Sequence, residues 1–269
     1  MFEEQVIAWL EECGVGPQEP GSAYVRSAYC MQSPPVTDAA GQHYPQGRII
    51  IGHTTEAEGA NPEEQEPEQQ SATVKLDISW LADANIREAL ALLPADTPTG
   101  FRVALPSPRA ARLLLERALL EGNPDAVVFK GTANATSVSA LLEEVAFSEE
   151  SLRIDSIVEA TKELLQQELG LKPGDFIELP ALFIEGKPAM PNPVNCLVCN
   201  RRVLMPSPNG PIIDGIDIIE AAIRHKVGLP ESTLTFIDTR CASADAPRMM
   251  GLFGVTVVQH GVAIEENAE

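Results

Sequence analysis

From Val74 onward, short apolar strands alternate with helices, yet several strands follow one another with no helix between them. That arrangement limits the fold more than any other feature. A doubly wound parallel sheet needs a helical crossover after every strand, whereas paired strands suit a mixed sheet or a blade-like repeat. The pattern predicts a strand at 74–81, a helix at 85–93, a strand at 101–105 and a helix at 107–121 opened by Ser107-Pro108. A strand at 126–130, a loop at 131–137 and helices at 138–145 and 151–169 follow, and Gly170 is expected to end the last of these in a left-handed cap. Strand-like FIELPALF and VNCLVCNRRVLM come next, then the turn-rich PSPNGPIIDG, a helix at 215–226 and a strand at 233–238.

Upstream, residues 1–13 have helical apolar spacing, SAYVRSAYCM is strand-like, and GRIIIG at 47–52 reads as a short buried strand. Between them and Val74 lies HTTEAEGANPEEQEPEQQSAT, 53–73, with six glutamates, no Lys or Arg and little that is apolar. Such a segment buries too little surface to offset its ordering entropy. It is expected to be a disordered acidic surface loop rather than a domain boundary.

The 269 residues are 44% hydrophobic, enough for a sizeable core. No stretch approaches the roughly 18 apolar residues that would suggest a membrane span, and MFEEQVIAWLEE lacks the basic start of a secretory signal. A cytoplasmic protein is expected. A net charge of −20 argues against nucleic acid and anionic membrane as partners. It suits basic partners, or simply a solvated surface. GxxxxGK[ST], GxGxxG, HExxH and GxSxG are all absent.

The five cysteines, Cys13, Cys30, Cys196, Cys199 and Cys241, suggest free thiols. Cys196-Leu-Val-Cys199 is a single CxxC inside an apolar run. Side chains three apart on a strand point to opposite faces, so two core thiols are expected there rather than a shared metal.

Several segments, taken in order, resemble the catalytic domain of the protein-arginine deiminases. SPPV at 33–36 with YPQGRIIIG at 44–52 is similar to that family's SPPVT…YPxGRIL strand. VKLDISWL at 74–81, PADTPTGFRVALPSPRA at 94–110, VEATKELLQQELGL with DFIELPALF, NPVNCLVCN, PNGPIIDG and TFID at 235–238 each resemble a family segment in turn. The resemblance covers about 33–240. It implies a pentein-type α/β propeller of ββαβ modules, here shortened at the N-terminus, so that either the propeller is incomplete or residues 1–32 replace something. The division that follows is residues 1–32 as an N-terminal helix and strand to which the resemblance assigns no role, and 33–269 as the family-like domain.

The resemblance also implies a chemistry. The family turns peptidyl-arginine into citrulline: a thiolate attacks the guanidinium carbon, a histidine moves protons, two aspartates grip the guanidinium, and calcium organises the site. The family's WLxxGHxDE segment aligns with Trp80-Leu81-Ala82-Asp83-Ala84-Asn85-Ile86-Arg87-Glu88. The histidine position therefore falls at Asn85, which cannot cycle a proton near neutral pH. The aspartate position falls at Arg87, where attraction for a substrate guanidinium becomes repulsion. The nucleophile position falls at Val255, and a calcium-binding glutamate position falls at Met31, which offers no hard oxygen. The plainer account of Arg87 is a surface helix arginine near Glu88. A relocated thiol site around Cys241, with Asp238, Asp245 and His260, competes with Cys241 as an ordinary loop cysteine.

Three expectations stand on this reading. The first is a deiminase-family protein without deiminase activity, acting as a binding or scaffold protein for basic or arginine-containing partners, or as one half of a homo- or heterodimer. The second is a calcium-dependent hydrolase of peptidyl-arginine. The third is a fragment, or a gene product whose reading frame departs from the family after Arg248.

Overall fold

The computed structural model describes residues 2–13, 30–54, 73–131 and 135–238. Within them the chain repeats one small motif: an antiparallel pair of strands, a crossover, and a third strand laid parallel to the second. In the first unit β1 (Cys30–Gln32) precedes a two-residue ladder of β2 (Val36–Thr37) and β3 (His43–Tyr44), and then β4 (Ile49–His53) pairs antiparallel with β1. After the crossover, β5 (Thr73–Asp77) joins β4 in parallel register, Ile50 opposite Val74. The acidic crossover, 55–72, lies outside the described residues, but the strands flanking it are each other's partners.

The second unit uses β6 (Ala91–Pro94), β7 (Phe101–Ser107) and, far along the chain, β10 (Phe176–Pro180) in the order β10-β7-β6. Between β7 and β10 run α2 (Pro108–Leu120), the ladder β8 (Val127–Val128) with β9 (Thr136–Ser137), α3 (Val138–Glu143) and the long α4 (Val145–Leu169). A short ladder, β11 (Phe183–Ile184) with β12 (Lys187–Pro188), leads to the third unit. There β13 (Leu197–Cys199) and β14 (Arg202–Pro206) form a hairpin. The ladder β15 (Ile212–Ile213) with β16 (Ile216–Asp217) and helix α5 (Ile218–Val227) then bring β17 (Leu234–Ile237) parallel to β14. The architecture is mixed α/β with small sheets and few helices.

Local sequence accounts for much of this. The Ser107 hydroxyl caps α2 by accepting from the Ala110 N–H (3.1 Å), with Pro108 at the first helical position. Asp217 caps α5 by accepting from Ile219 and Glu220 N–H. Gly170 ends α4 with φ +64°, as its position predicts, and a Cβ there would lie 1.9 Å from the Thr37 carbonyl oxygen. Asn200 and Arg201, both with positive φ, make the two-residue turn of the β13–β14 hairpin.

Several sequence expectations are corrected. The stretch 85–93 is not a helix. Ile86–Glu88 form one 3-10 turn, and Ala91–Pro94 are a strand. Its Ala, Glu and Leu residues favour helix locally, but Ala91 and Leu93 bury alternately against the core while the backbone bonds to β7. The strand expected at 74–81 stops at Asp77, FIELPALF breaks into β10 and β11, and the strand expected at 126–130 shrinks to two residues. The helix expected from 151 begins at Val145.

Two large apolar clusters flank the second sheet. One gathers Ile50, Leu76, Ile78, Trp80, Leu105, Ile154 and Leu165 from the first unit, β7 and α4. The other gathers Leu93, Leu115, Leu179, Val203, Met205, Ile219 and Ile223 from the second and third units. A small third cluster seats helix α1 (Phe2–Glu12) on the third sheet through Val6, Trp9 and Cys13 against Leu197, Cys199, Leu204 and Ile237.

The motifs that carry the family resemblance also meet in space. Ser33 and Arg48 exchange bonds: Ser33 N–H to Arg48 O at 2.8 Å, and Arg48 N–H to the Ser33 hydroxyl at 2.9 Å. The buried Arg48 guanidinium pairs with the Glu168 carboxylate, donates to Glu168 O at 2.7 Å, and lies over the Tyr44 ring at 4.6 Å. The SPPV and YPQGR segments are thus tied to the end of α4.

Candidate functional site

Leaving β5, the chain turns sharply under Trp80. Leu81 N–H donates to Ile78 O, Ala84 N–H to Leu81 O, and Ala82 N–H reaches across to Gly186 O at 3.0 Å. Trp80 packs edge-on to Phe183, ring centroids 5.0 Å apart. Ala84 sits at φ +48°, in the left-handed region. It occupies the glycine position of the WLxxGHxDE pattern, so the turn keeps a glycine-type backbone without the glycine.

Asn85 then opens the 3-10 turn. Its side-chain oxygen accepts from the Arg87 N–H at 3.1 Å, so the amide serves as a helix cap. Ile86 is fully buried, which fixes the turn against the core.

Arg87 is not the surface arginine expected from sequence. It is half-buried, and its Nε is enclosed with no hydrogen-bond partner among the described residues. Burial pulls its pKa down, while the thiols of Cys30 and Cys196 push it partway back. Cys196, also half-buried, is pushed up to about 12 by burial. A guanidinium thus lies beside two half-buried cysteines, one from β1 and one from the segment entering β13.

Behind Arg87, Glu88 turns inward. Its carboxylate accepts from Asn192 Nδ2 at 2.7 Å and from Asn195 Nδ2 at 2.6 Å, and Asn192 Nδ2 also donates to the Glu88 carbonyl at 2.9 Å. Asn192 is held in turn by the Val194 N–H, which donates to its Oδ1 at 3.2 Å. Burial raises Glu88 to about 7; the two amides pull it down and Asp83 adds to the rise. This glutamate–asparagine network was not anticipated. Its signal lay in NPVN, two asparagines inside an apolar run, where a buried amide needs a partner.

The other anticipated positions separate. Met31 is buried in the first apolar cluster, opposite Ile50 in the β1–β4 ladder. A thioether in an apolar core does not fit a calcium ion, which takes hard oxygen ligands. Among the described residues no group of three or more His, Cys, Asp and Glu side chains could hold a metal. Val255, Cys241, Asp245 and His260 lie outside the described residues. Cys196 and Cys199 join different apolar clusters, as opposite strand faces require.

A second polar cluster centres on Glu178, midway along β10. Glu178 accepts from the Ser107 hydroxyl (3.1 Å) and Arg109 (3.2 Å), and pairs with Lys162. Burial opposes its charge, but Lys162, Arg109 and Ser107 outweigh it and hold the carboxyl below its ordinary value. An open groove of about 440 Å³ passes over Lys162, Glu178, Phe176 and Lys226, and none of Asn85, Arg87 or Glu88 lines it.

The sequence pattern described as protein-arginine deiminase (PAD) matches residues 27–242. The chain belongs to the protein-arginine deiminase family. Protein-arginine deiminase type-4 of Mus musculus is 31% identical over 223 residues, covering 77% of this chain and 33% of that protein. Type-3 of Homo sapiens is 32% identical over 221 residues, 77% of this chain and 33% of its own length. Type-4 of Homo sapiens is 30% identical over 223 residues, with 77% and 34% covered. The chain therefore spans about a third of the length of these deiminases. The ordered motifs resembling the deiminases lie within that match. Among the described residues no helix is long and apolar enough to cross a membrane.

Proposed function

We propose that this chain is a protein-arginine deiminase-family module that does not hydrolyse arginine and that acts by binding other proteins. The observation that carries the reading is Arg87. It stands where the family resemblance places a guanidinium-gripping aspartate, and its own guanidinium is desolvated beside Cys30 and Cys196. A second cation in that place repels the substrate class the family acts on. Asn85 supports the same reading, because its side chain is engaged as a cap and has no titratable proton near neutral pH.

The binding partners proposed are basic or arginine-containing proteins, drawn by a chain of net charge −20, or a second deiminase-family chain. The three ββαβ-like units among the described residues support a blade arrangement of the pentein kind. A calcium-dependent hydrolase is the competing reading, favoured by the family match itself.

Citrulline formation from a peptidyl-arginine substrate, measured with and without calcium beside an active deiminase, decides between them. No product in either condition is expected. Calcium-dependent product would overturn the proposal.

A further inference from the structure

Helix α1 ends on Cys13, and three polar and sulfur contacts bring that end onto the β13–β14 hairpin. The Asn200 side-chain amide donates to the Cys13 carbonyl at 2.6 Å. Arg202 pairs with Glu12 at 3.4 Å. The Cys13 and Cys199 thiols are in hydrogen-bond contact, both buried in the apolar cluster that seats α1. The Cys13 N–H closes the helix on Trp9 and Leu10 carbonyls, so the thiol is held by a formed helical end rather than by a loose terminus.

We propose that Cys13 and Cys199 are an intramolecular disulfide site, closed by a small disulfide oxidant such as glutathione disulfide, which fastens α1 covalently to the third sheet. The hairpin turn at Asn200–Arg201 and the cap of α1 fix both backbones, and both Cα–Cβ bonds enter one cluster. Cys196, three residues away, joins the other cluster beside Arg87 and does not compete.

The exchange balances as follows. One thiol loses its proton to solvent and attacks a sulfur of glutathione disulfide, releasing one glutathione. The second thiol loses its proton and displaces the other glutathione, forming the S–S bond. Two S–H bonds are replaced by one S–S bond, and the oxidant takes two electrons to become two glutathione thiols. Burial, and then the neighbouring Cys13, push Cys199 up to about 11. It is therefore a thiol at neutral pH, and the reaction proceeds slowly, through opening of the terminal helix.

The test uses the whole reduced chain incubated with glutathione disulfide, quenched by alkylation, digested and mapped by mass spectrometry. The expected product links the peptide carrying Cys13 to the one carrying Cys199, with fragment ions between Cys196 and Cys199 assigning the bridge. In a parallel arm the oxidised chain is denatured without reductant and digested after its arginines, of which Arg26 is the first basic residue of the chain. The N-terminal piece should stay attached until dithiothreitol releases it. Cys196→Ser should leave the bridge intact, and Cys199→Ala should abolish it. A bridge from Cys199 to Cys196, Cys30 or Cys241, glutathione adducts alone, no oxidation at all, or equal linkage in denaturing urea would each overturn the proposal.

Discussion

Asn192 grips Glu88 twice with one amide nitrogen, at the backbone carbonyl (2.9 Å) and at the carboxylate (2.7 Å). The carboxyl is nevertheless raised to about 7, because burial outweighs what the amides contribute. The folded chain therefore binds a proton that the unfolded chain, with a glutamate near 4.5, has already lost. The stabilisation is complete below about 4.5, falls as pH rises towards about 7, and is gone above it. Because Glu88 keeps some exposed surface, the loss is expected to be about 1–2 kcal/mol. Glu88→Gln should flatten that slope in urea unfolding followed across the window. The Asn195 Oδ1, enclosed without a partner, can accept from the new amide. The same slope in the variant would show that Glu88 does not titrate in the window.

Arg87 carries a desolvated charge and an Nε without a partner. Arg87→Met keeps the length of the side chain and removes the charge. It is expected to leave stability unchanged or raise it by about 1 kcal/mol. A lower urea midpoint at an unchanged slope would reveal a stabilising contact for the guanidinium.

Gly170 and Gly228 end helices with nearly the same backbone, φ +64° and +66°, but only Gly170 has a neighbour in the way of a Cβ. Gly228→Ala should cost about 1 kcal/mol for the left-handed conformation. Gly170→Ala must also displace the Thr37 carbonyl, so its cost should exceed that of Gly228→Ala by at least about 1–2 kcal/mol. Equal thermal shifts for the two variants would contradict the close approach of α4 to the β2–β3 segment.

Arg48 joins β4, Tyr44 and the end of α4. Arg48→Ala leaves the Glu168 carbonyl and carboxylate without that donor and should cost about 2–4 kcal/mol. Arg48→Lys supplies a point charge without the planar fork and should recover less than half of that loss. Full recovery by lysine in a denaturation series would mean that charge alone matters there.

The legible parts of the fold were those set by local rules. Ser107-Pro108 announced α2, Gly170 ended α4, and the paired strands without intervening helices announced a mixed sheet. The stretch after Asn85 was misread because its helical propensity is real but weak, and pairing with β7 overrides it. The site was half legible. The aligned positions of Asn85 and Arg87 could be read off the chain, but Arg87's burial could not. Its neighbours there, Cys30 and Cys196, lie far from it in sequence.

By itself, then, the sequence determined the paired strands of a mixed sheet, the caps at Ser107 and Gly170, the acidic charge and the family, because each rests on neighbouring residues or on ordered motifs. The tertiary structure alone decided that β4 and β5 are partners across the acidic segment, that NPVN closes over Glu88, and that Cys13 meets Cys199. Those contacts join residues distant in the chain, and no local preference encodes which buried polar or sulfur group finds which. Packing selects the pairing, since desolvated donors, acceptors and thiols are stable only where a complementary partner arrives with them.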